Sequence, residues 1–112
     1  MTLLEQIYRR LHDTQLVGCA EDFSMRYLGK NKNWYAYQTH TGREFSVDAA
    51  INCLALTRKL LAAPQFGAAQ VAFCEVEQLL SDYLLHNHKI TEIRNDAIET
   101  IIRHPFLPHY SA

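Results

Sequence analysis

Residues 19–61 decide the fold, and they read CAEDFSMRYLGKNKNWYAYQTHTGREFSVDAAINCLALTRKLL. The first part of this stretch predicts a short amphipathic helix at about 20–28, with Phe23, Tyr27 and Leu28 on its apolar face. Gly29 follows at once, and glycine ends helices because it adopts the left-handed backbone conformation without steric cost. The stretch therefore begins with a short helix that stops directly after Leu28.

The middle of the stretch, residues 30–40, is basic, aromatic and rich in amides. We expect a helix at about 32–40, although the β-propensity of WYAYQTH also permits a strand. Isolated strands would be marginal in a helical chain, which favours the helix. A turn at 41–43 follows, and Ser46 can then cap a long apolar helix that extends to about residue 62.

This order of segments resembles the helix-turn-helix of phage-repressor-like (Cro/C1, XRE-type) DNA-binding domains. The resemblance rests on EDFS at 21–24, YLG at 27–29, about a dozen residues leading to Gly42-Arg43, and FSV at 45–47 before an Ala/Leu/Ile-rich helix. The chain departs from the family pattern at His40-Thr41, where an acidic residue is usual. The resemblance implies that the helix near 31–40 is the recognition helix, which enters the major groove.

Helical periodicity continues on both sides of this stretch. Thr2 and Glu5 form a capping box for a first helix at about 2–14. Apolar spacing predicts a long helix from Phe66 to about residue 85 and a final helix at about 91–103. We therefore expect an all-α protein, a lambda-repressor-like helix-turn-helix bundle with two additional C-terminal helices.

The last two predicted helices carry more apolar surface than a four-helix unit needs to cover itself. They either wrap the first four helices into one six-helix domain or provide a dimer interface. Because DNA readers of this class commonly act as two-fold dimers, we expect a homodimer. The corresponding division is a helix-turn-helix domain at 1–63 and a C-terminal helical pair for dimerisation at 64–112.

The overall charge gives no sign of nucleic-acid binding, because 11 Lys and Arg residues face 12 Asp and Glu residues and the formal net charge is −1. The distribution is uneven, however. Residues 1–62 carry eight basic and six acidic residues, whereas residues 63–112 carry three and six. The basic side of the molecule therefore coincides with the opening stretch.

Three cysteines without a CxxC motif are typical of reduced thiols rather than of a disulfide framework. Because they lie in apolar helical patterns, we expect them to be buried and unreactive. The N-terminus builds no signal-peptide apolar run, and no stretch approaches the roughly 18 apolar residues of a membrane helix. We expect a soluble, cytoplasmic protein without a membrane partner.

The sequence His86-Asn87-His88 interrupts the fifth helical pattern and, with His104 and His109, raises the question of a metal site, because imidazole binds Zn²⁺. A turn at a helix end is favoured instead, since no cysteine or carboxylate stands at ligand spacing. Gly-rich phosphate loops, nucleophile elbows and HExxH motifs are missing from the sequence. We expect no catalytic residue, no metal, no cofactor and no enzymatic activity.

The candidate DNA contacts come from the middle segment. A helix that offers Lys, Asn, Gln and Tyr side chains can form hydrogen bonds to base edges, while Lys and Arg at its ends neutralise phosphates. The candidates are Lys30, Asn31, Lys32, Asn33, Tyr37, Gln38 and Arg43. The alternative for each of them is a solvated surface residue.

Trp34, Tyr35 and Tyr37 are more rings than a recognition helix usually carries, and each ring is a candidate for the core. If two of them are exposed, stacking on unpaired bases or contact with a protein partner becomes an option. We expect a DNA-binding protein, a transcriptional regulator whose partner is double-stranded DNA. The alternative is a degenerate helix-turn-helix that serves as a protein-protein interaction module without binding DNA.

Overall fold

The computed structural model describes residues 1–63 and 66–88, and every regular element in them is helical. The elements are α1 (Leu3–Asp13), α2 (Ala20–Asp22), a π-helical turn (Phe23–Tyr27), α3 (Trp34–His40), α4 (Val47–Ala62) and α5 (Gly67–His88). The all-α prediction is confirmed for these residues, and residues 34–40 form a helix rather than a strand. The predicted helix at 91–103 lies outside the described residues. None of the described helices is long and apolar enough to cross a membrane.

α1 begins with the predicted capping box. The Thr2 hydroxyl accepts a hydrogen bond from the Glu5 amide at 3.1 Å, and the Glu5 carboxylate accepts one from the Thr2 amide at 3.1 Å. A second cap comes from the Glu44 carboxylate, which accepts from the amides of Leu3 at 2.7 Å and Leu4 at 2.8 Å. The first amides of a helix have no partner within it, so Glu44 satisfies two of these groups from a distant part of the chain.

The second helix differs from its prediction. We expected one α-helix at about 20–28, but the α-helical part ends at Asp22 and the chain widens into a π turn, in which the Leu28 amide donates to the Phe23 carbonyl at 3.1 Å. This bond spans five residues instead of four, so Phe23 and Leu28 come to share the inward face. Both side chains are fully buried, and their packing explains the wider turn.

Gly29 ends this helix as predicted, with a φ of +66°. The carbonyl of Leu28 accepts a hydrogen bond from Asn52 Nδ2 at 2.9 Å, which ties the turn to α4. A Cβ atom on Gly29 would lie 2.6 Å from the same nitrogen. The position therefore requires glycine for its backbone conformation and for the close approach of Asn52.

We expect Gly29→Ala to lower the free energy of unfolding by about 2–3 kcal/mol, since the left-handed conformation costs an alanine roughly 1–2 kcal/mol and Asn52 must give up its hydrogen bond. Gly42→Ala is the matched control, because Gly42 has a φ of +69° but open space around its Cβ position. Its loss should be about 1 kcal/mol smaller. Urea denaturation of both variants measures the difference, and equal losses would contradict a role for Asn52.

Aromatic rings join α1, the π turn and α3. Tyr8 of α1, Phe23 of the π turn and Tyr35 of α3 have ring centroids 4.6–5.3 Å apart. Such pairs add about 0.5–1.5 kcal/mol each to the burial of the rings. They fix the inner side of α3 and leave its other side to solvent.

α4 begins at the predicted Ser46 cap, whose hydroxyl accepts from the Ala49 amide at 3.4 Å. α5 continues through His86 to His88, beyond the predicted end near residue 85. Nδ1 of His86 lies 2.9 Å from the Asp82 carbonyl oxygen, so this ring bonds back to its own helix. The prediction that residues 86–88 interrupt the helix was therefore wrong. The His86 ring lies against a carbonyl group one turn back and is accommodated within α5.

α5 packs against α4 and α1. Four of its side chains belong to the same buried cluster as those of the first four helices: Phe73, Val76, Leu80 and Leu84. Ion pairs border the contact on both sides, Arg58 with Glu77 at 2.8 Å and Arg10 with Glu75 at 3.0 Å. Of the two arrangements considered for this helix, it adopts the one that wraps the first four. The division at residues 63 and 64 and the homodimer remain predictions.

Candidate functional site

α3 is anchored on its inner side. The Tyr35 amide donates to the buried Ser24 hydroxyl at 3.0 Å, and burial raises the pKa of the Tyr35 phenol to about 12. The Gln38 side chain is only 8% exposed, and its Nε2 donates to the Glu44 carbonyl at 3.1 Å. Tyr35 and Gln38 therefore fix the orientation of α3 in the bundle.

The outer side of α3 is a row of exposed side chains at helical spacing: Asn33, Ala36, Tyr37 and His40. Asn33 stands at the N-cap position of α3, but its side chain makes no capping hydrogen bond. Tyr37 is 56% exposed. We call this row the outer face of α3.

The turn before α3 contains a lysine that already has a carboxylate partner. Lys30 forms an ion pair with Asp48 of α4, and its Nζ lies 5.7 Å from the centre of the Trp34 ring. Partial burial opposes ionisation of the Asp48 carboxyl, but hydrogen bonds from Lys30 and Ser46 outweigh it and lower the pKa. Lys30 therefore joins the start of α3 to α4.

The C-terminal end of α3 carries a stacked pair. The guanidinium carbon of Arg43 lies 5.8 Å from the centre of the Tyr37 ring, within the range of a cation–π contact. The Arg43 amide donates to the Gln38 carbonyl at 2.8 Å, which fixes the turn after the helix. Arg43 is therefore held beside the outer face of α3 while its side chain stays exposed.

The segment that carries α3 contains basic residues but no acidic ones. No Asp or Glu occurs between Asp22 and Glu44, whereas four Lys and Arg residues do. Arg26 is paired with Asp22 at 3.3 Å and Lys30 with Asp48. Within residues 1–63 and 66–88, the other two cations, Lys32 and Arg43, have no carboxylate partner.

The predicted contact residues fall into two groups. Five of them are exposed on α3 and its flanking turns: Asn31, Lys32, Asn33, Tyr37 and Arg43. The other two, Lys30 and Gln38, are engaged with Asp48 and with the Glu44 carbonyl. Sequence reasoning omitted Ala36 and His40, although counting three and seven residues from Asn33 places them on the same face.

The rings of α3 also separate by exposure. Tyr35 is buried, Trp34 is half-buried beside Lys30, and Tyr37 is exposed. The condition for a stacking platform, two exposed rings, is not met. A surface with one exposed ring gives less support to binding of unpaired bases.

The cysteines differ in part from their prediction. Cys53 is fully buried in α4, and burial raises the pKa of its thiol to about 12. Cys19 and Cys74 are exposed, so the prediction of burial was wrong for them. Cys19 is the N-cap residue of α2, and Cys74 lines the open groove between α4 and α5, so neither belongs to the buried cluster.

The part of the chain that the structure describes contains no cluster of metal-binding side chains. No three His, Cys, Asp or Glu side chains of residues 1–63 and 66–88 converge on a point where a metal ion could bind. An open groove of about 470 Å³ lies between α4 and α5, but its charged residues Arg58 and Glu77 bind each other. His104 and His109 lie outside the described residues.

The regular structure of residues 1–63 and 66–88 is thus all helical, and α3 presents an acid-free outer face that is flanked by the exposed cations Lys32 and Arg43. The chain belongs to a family of unknown function, DUF6626, which matches residues 4–94. Comparisons with curated proteins and with solved structures gave no match. The outer face of α3 lies inside the matched region.

Proposed function

We propose that this protein binds duplex DNA as a helix-turn-helix of the phage-repressor type, with α3 in the major groove. The observation that carries the proposal is the acid-free outer face of α3. This face lies between Lys32 and Arg43, two exposed cations without a carboxylate partner among the described residues. Cations in this position attract the phosphates of DNA, and the release of counterions supplies most of the affinity.

The size of α3 fits such a complex. An α-helix with its side chains is about 10–12 Å across, and the major groove is about 12 Å wide, so the seven residues of α3 can lie in the groove. Lys32 and Arg43, at opposite ends, would neutralise phosphates, while Asn33 and Tyr37 between them would face base edges. In this arrangement Lys30 and Gln38 hold α3 in place and do not touch DNA.

The proposal includes the biological context that the sequence predicts. A short recognition helix contacts few base pairs, so readers of this kind gain affinity as two-fold dimers on two half-sites. We propose a homodimer that acts as a transcriptional regulator and uses residues in 64–112 for the dimer contact. The exposed position of α3 supports the DNA contact in this assignment, because it leaves the helix accessible beside a bundle that α5 completes.

Titration of a fluorescent non-specific duplex with the full chain, at about 50 mM and about 200 mM salt, tests the proposal. Lys32→Ala combined with Arg43→Ala should weaken binding at low salt by roughly 10-fold and reduce the slope of log K against log salt by about 2. Arg9→Ala with Lys59→Ala is the matched control, because it removes the same charge from exposed positions on α1 and α4. Absence of binding at low salt, or an equal loss in the control, would contradict the proposal.

A second candidate function is a protein-protein interaction module. It is favoured by the exposure of Tyr37 (56%) and Met25 (55%) and by the net charge of −1. Exposed aromatic side chains often anchor protein interfaces. The same titration separates the two functions, since a protein-binding module would show no salt-dependent DNA affinity.

A further inference from the structure

The outer face of α3 differs in chemistry from the ends of the helix. Its members offer an amide (Asn33), a methyl group (Ala36), a phenol ring (Tyr37) and an imidazole (His40). The cations lie outside this row, and Arg43 is stacked over the Tyr37 ring. The residues that would face base edges therefore include no lysine or arginine.

This composition discriminates between base pairs. Guanine presents two acceptors in the major groove and is read best by arginine or lysine, which the row lacks. Adenine presents one acceptor and one donor, and an asparagine amide matches both. Thymine presents a methyl group, which apolar side chains contact.

Asn33 is positioned for such a contact. It stands at the N-terminal end of α3, the end from which recognition helices contact base edges. Its side-chain amide forms no hydrogen bond with any described residue, and Asn31 supplies the local turn bond by accepting from the Asn33 backbone amide at 3.0 Å. The amide of Asn33 is therefore free for a ligand.

We infer that the outer face of α3 selects A·T pairs, with Asn33 hydrogen-bonded to an adenine edge and Ala36 and Tyr37 in contact with thymine methyl groups. This inference rests on the proposed function, because it names the DNA that the same surface prefers. Lys32 and Arg43 contribute affinity for any sequence, and the outer face contributes the preference.

Selection from a pool of randomised duplexes with the full chain tests the inference. The enriched sequences should place A·T pairs in the centre of each half-site. Asn33→Ala should lose the preference for adenine at one position by roughly 5- to 150-fold, the range for a bidentate base contact. Asn33 is exposed, so the variant should fold, and circular dichroism verifies this.

Chemical changes to the selected duplex isolate the methyl contacts. Replacing thymine with uracil removes only the methyl group and should weaken binding by about 4-fold, the equivalent of one buried methyl. Tyr37→Ala should make binding insensitive to this replacement at the position that Tyr37 contacts. Enrichment of G·C pairs, or of no sequence, would overturn the inference and leave salt-dependent DNA binding intact. Absence of any binding at low salt would overturn the proposed function as well.

Discussion

Replacing Glu44 with alanine should lower the free energy of unfolding by about 2–4 kcal/mol, because hydrogen bonds to a charged acceptor are stronger than neutral ones and helix caps are worth about 1 kcal/mol or more. The carboxylate accepts from the amides of Leu3 and Leu4, and also from that of Phe45 at 3.0 Å. Without it, the two helix-terminal amides of α1 and the amide of Phe45 depend on water. Urea denaturation followed by circular dichroism measures the loss.

Two further variants separate the cap from the charge. Glu44→Gln keeps an acceptor oxygen but loses the negative charge that favours a helix N-terminus, so its loss should be about half as large. Glu21→Ala removes the same charge from an exposed position in the first turn of α2, where it forms no cap, and should cost no more than about 1 kcal/mol. If Glu44→Ala behaved like Glu21→Ala, the cap across the bundle would make no contribution to stability.

Phe73→Ala should cost about 3–5 kcal/mol, the usual range for an aromatic residue deleted from a close-packed core. Phe73 is 2% exposed and lies in the cluster shared by α5 and the first four helices. The loss should appear as one cooperative transition, because unfolding of α5 uncovers the core of its neighbours. In both thermal and urea unfolding, the midpoint measured by circular dichroism should then equal the midpoint measured by Trp34 fluorescence.

Val71→Ala is the matched control on the same helix, since Val71 is 51% exposed. Its effect should stay within about 0.5 kcal/mol, as for most surface substitutions. The contradicting result is a Phe73→Ala variant whose Trp34 fluorescence keeps its original unfolding midpoint while the circular dichroism signal falls at a lower urea concentration. That result would show that α5 unfolds separately from the other helices.

The features that the sequence predicted correctly are local ones. The capping box of Thr2 and Glu5, the stop at Gly29 and the cap at Ser46 each depend on residues within a few positions of one another. A cap or a left-handed glycine is fixed by backbone geometry that neighbours determine. Such features can be read from the chain without knowing the tertiary contacts.

The features that the sequence did not predict depend on distant partners. The π turn at Phe23–Tyr27 satisfies the packing of Phe23 and Leu28 in the core, and Glu44 caps Leu3 from 41 positions away in the sequence. Gln38 carries an amide of the kind that can bind base edges, but this amide donates its hydrogen bond to the Glu44 carbonyl. For the candidate site, the residue types were enough to predict which segment carries it. Only the folded structure shows which of its side chains are exposed and which hold α3 in the bundle.

The cap of α1 has a consequence for the order in which the chain acquires structure. α1 has 11 residues, and isolated helices shorter than about 12–15 residues are marginal in water. Synthesis runs from the N-terminus, so Glu44 leaves the ribosome after the whole of α1. α1 therefore gains its second cap only after the segment that follows α3 has emerged, and we expect it to become a stable helix at that stage of synthesis rather than before it.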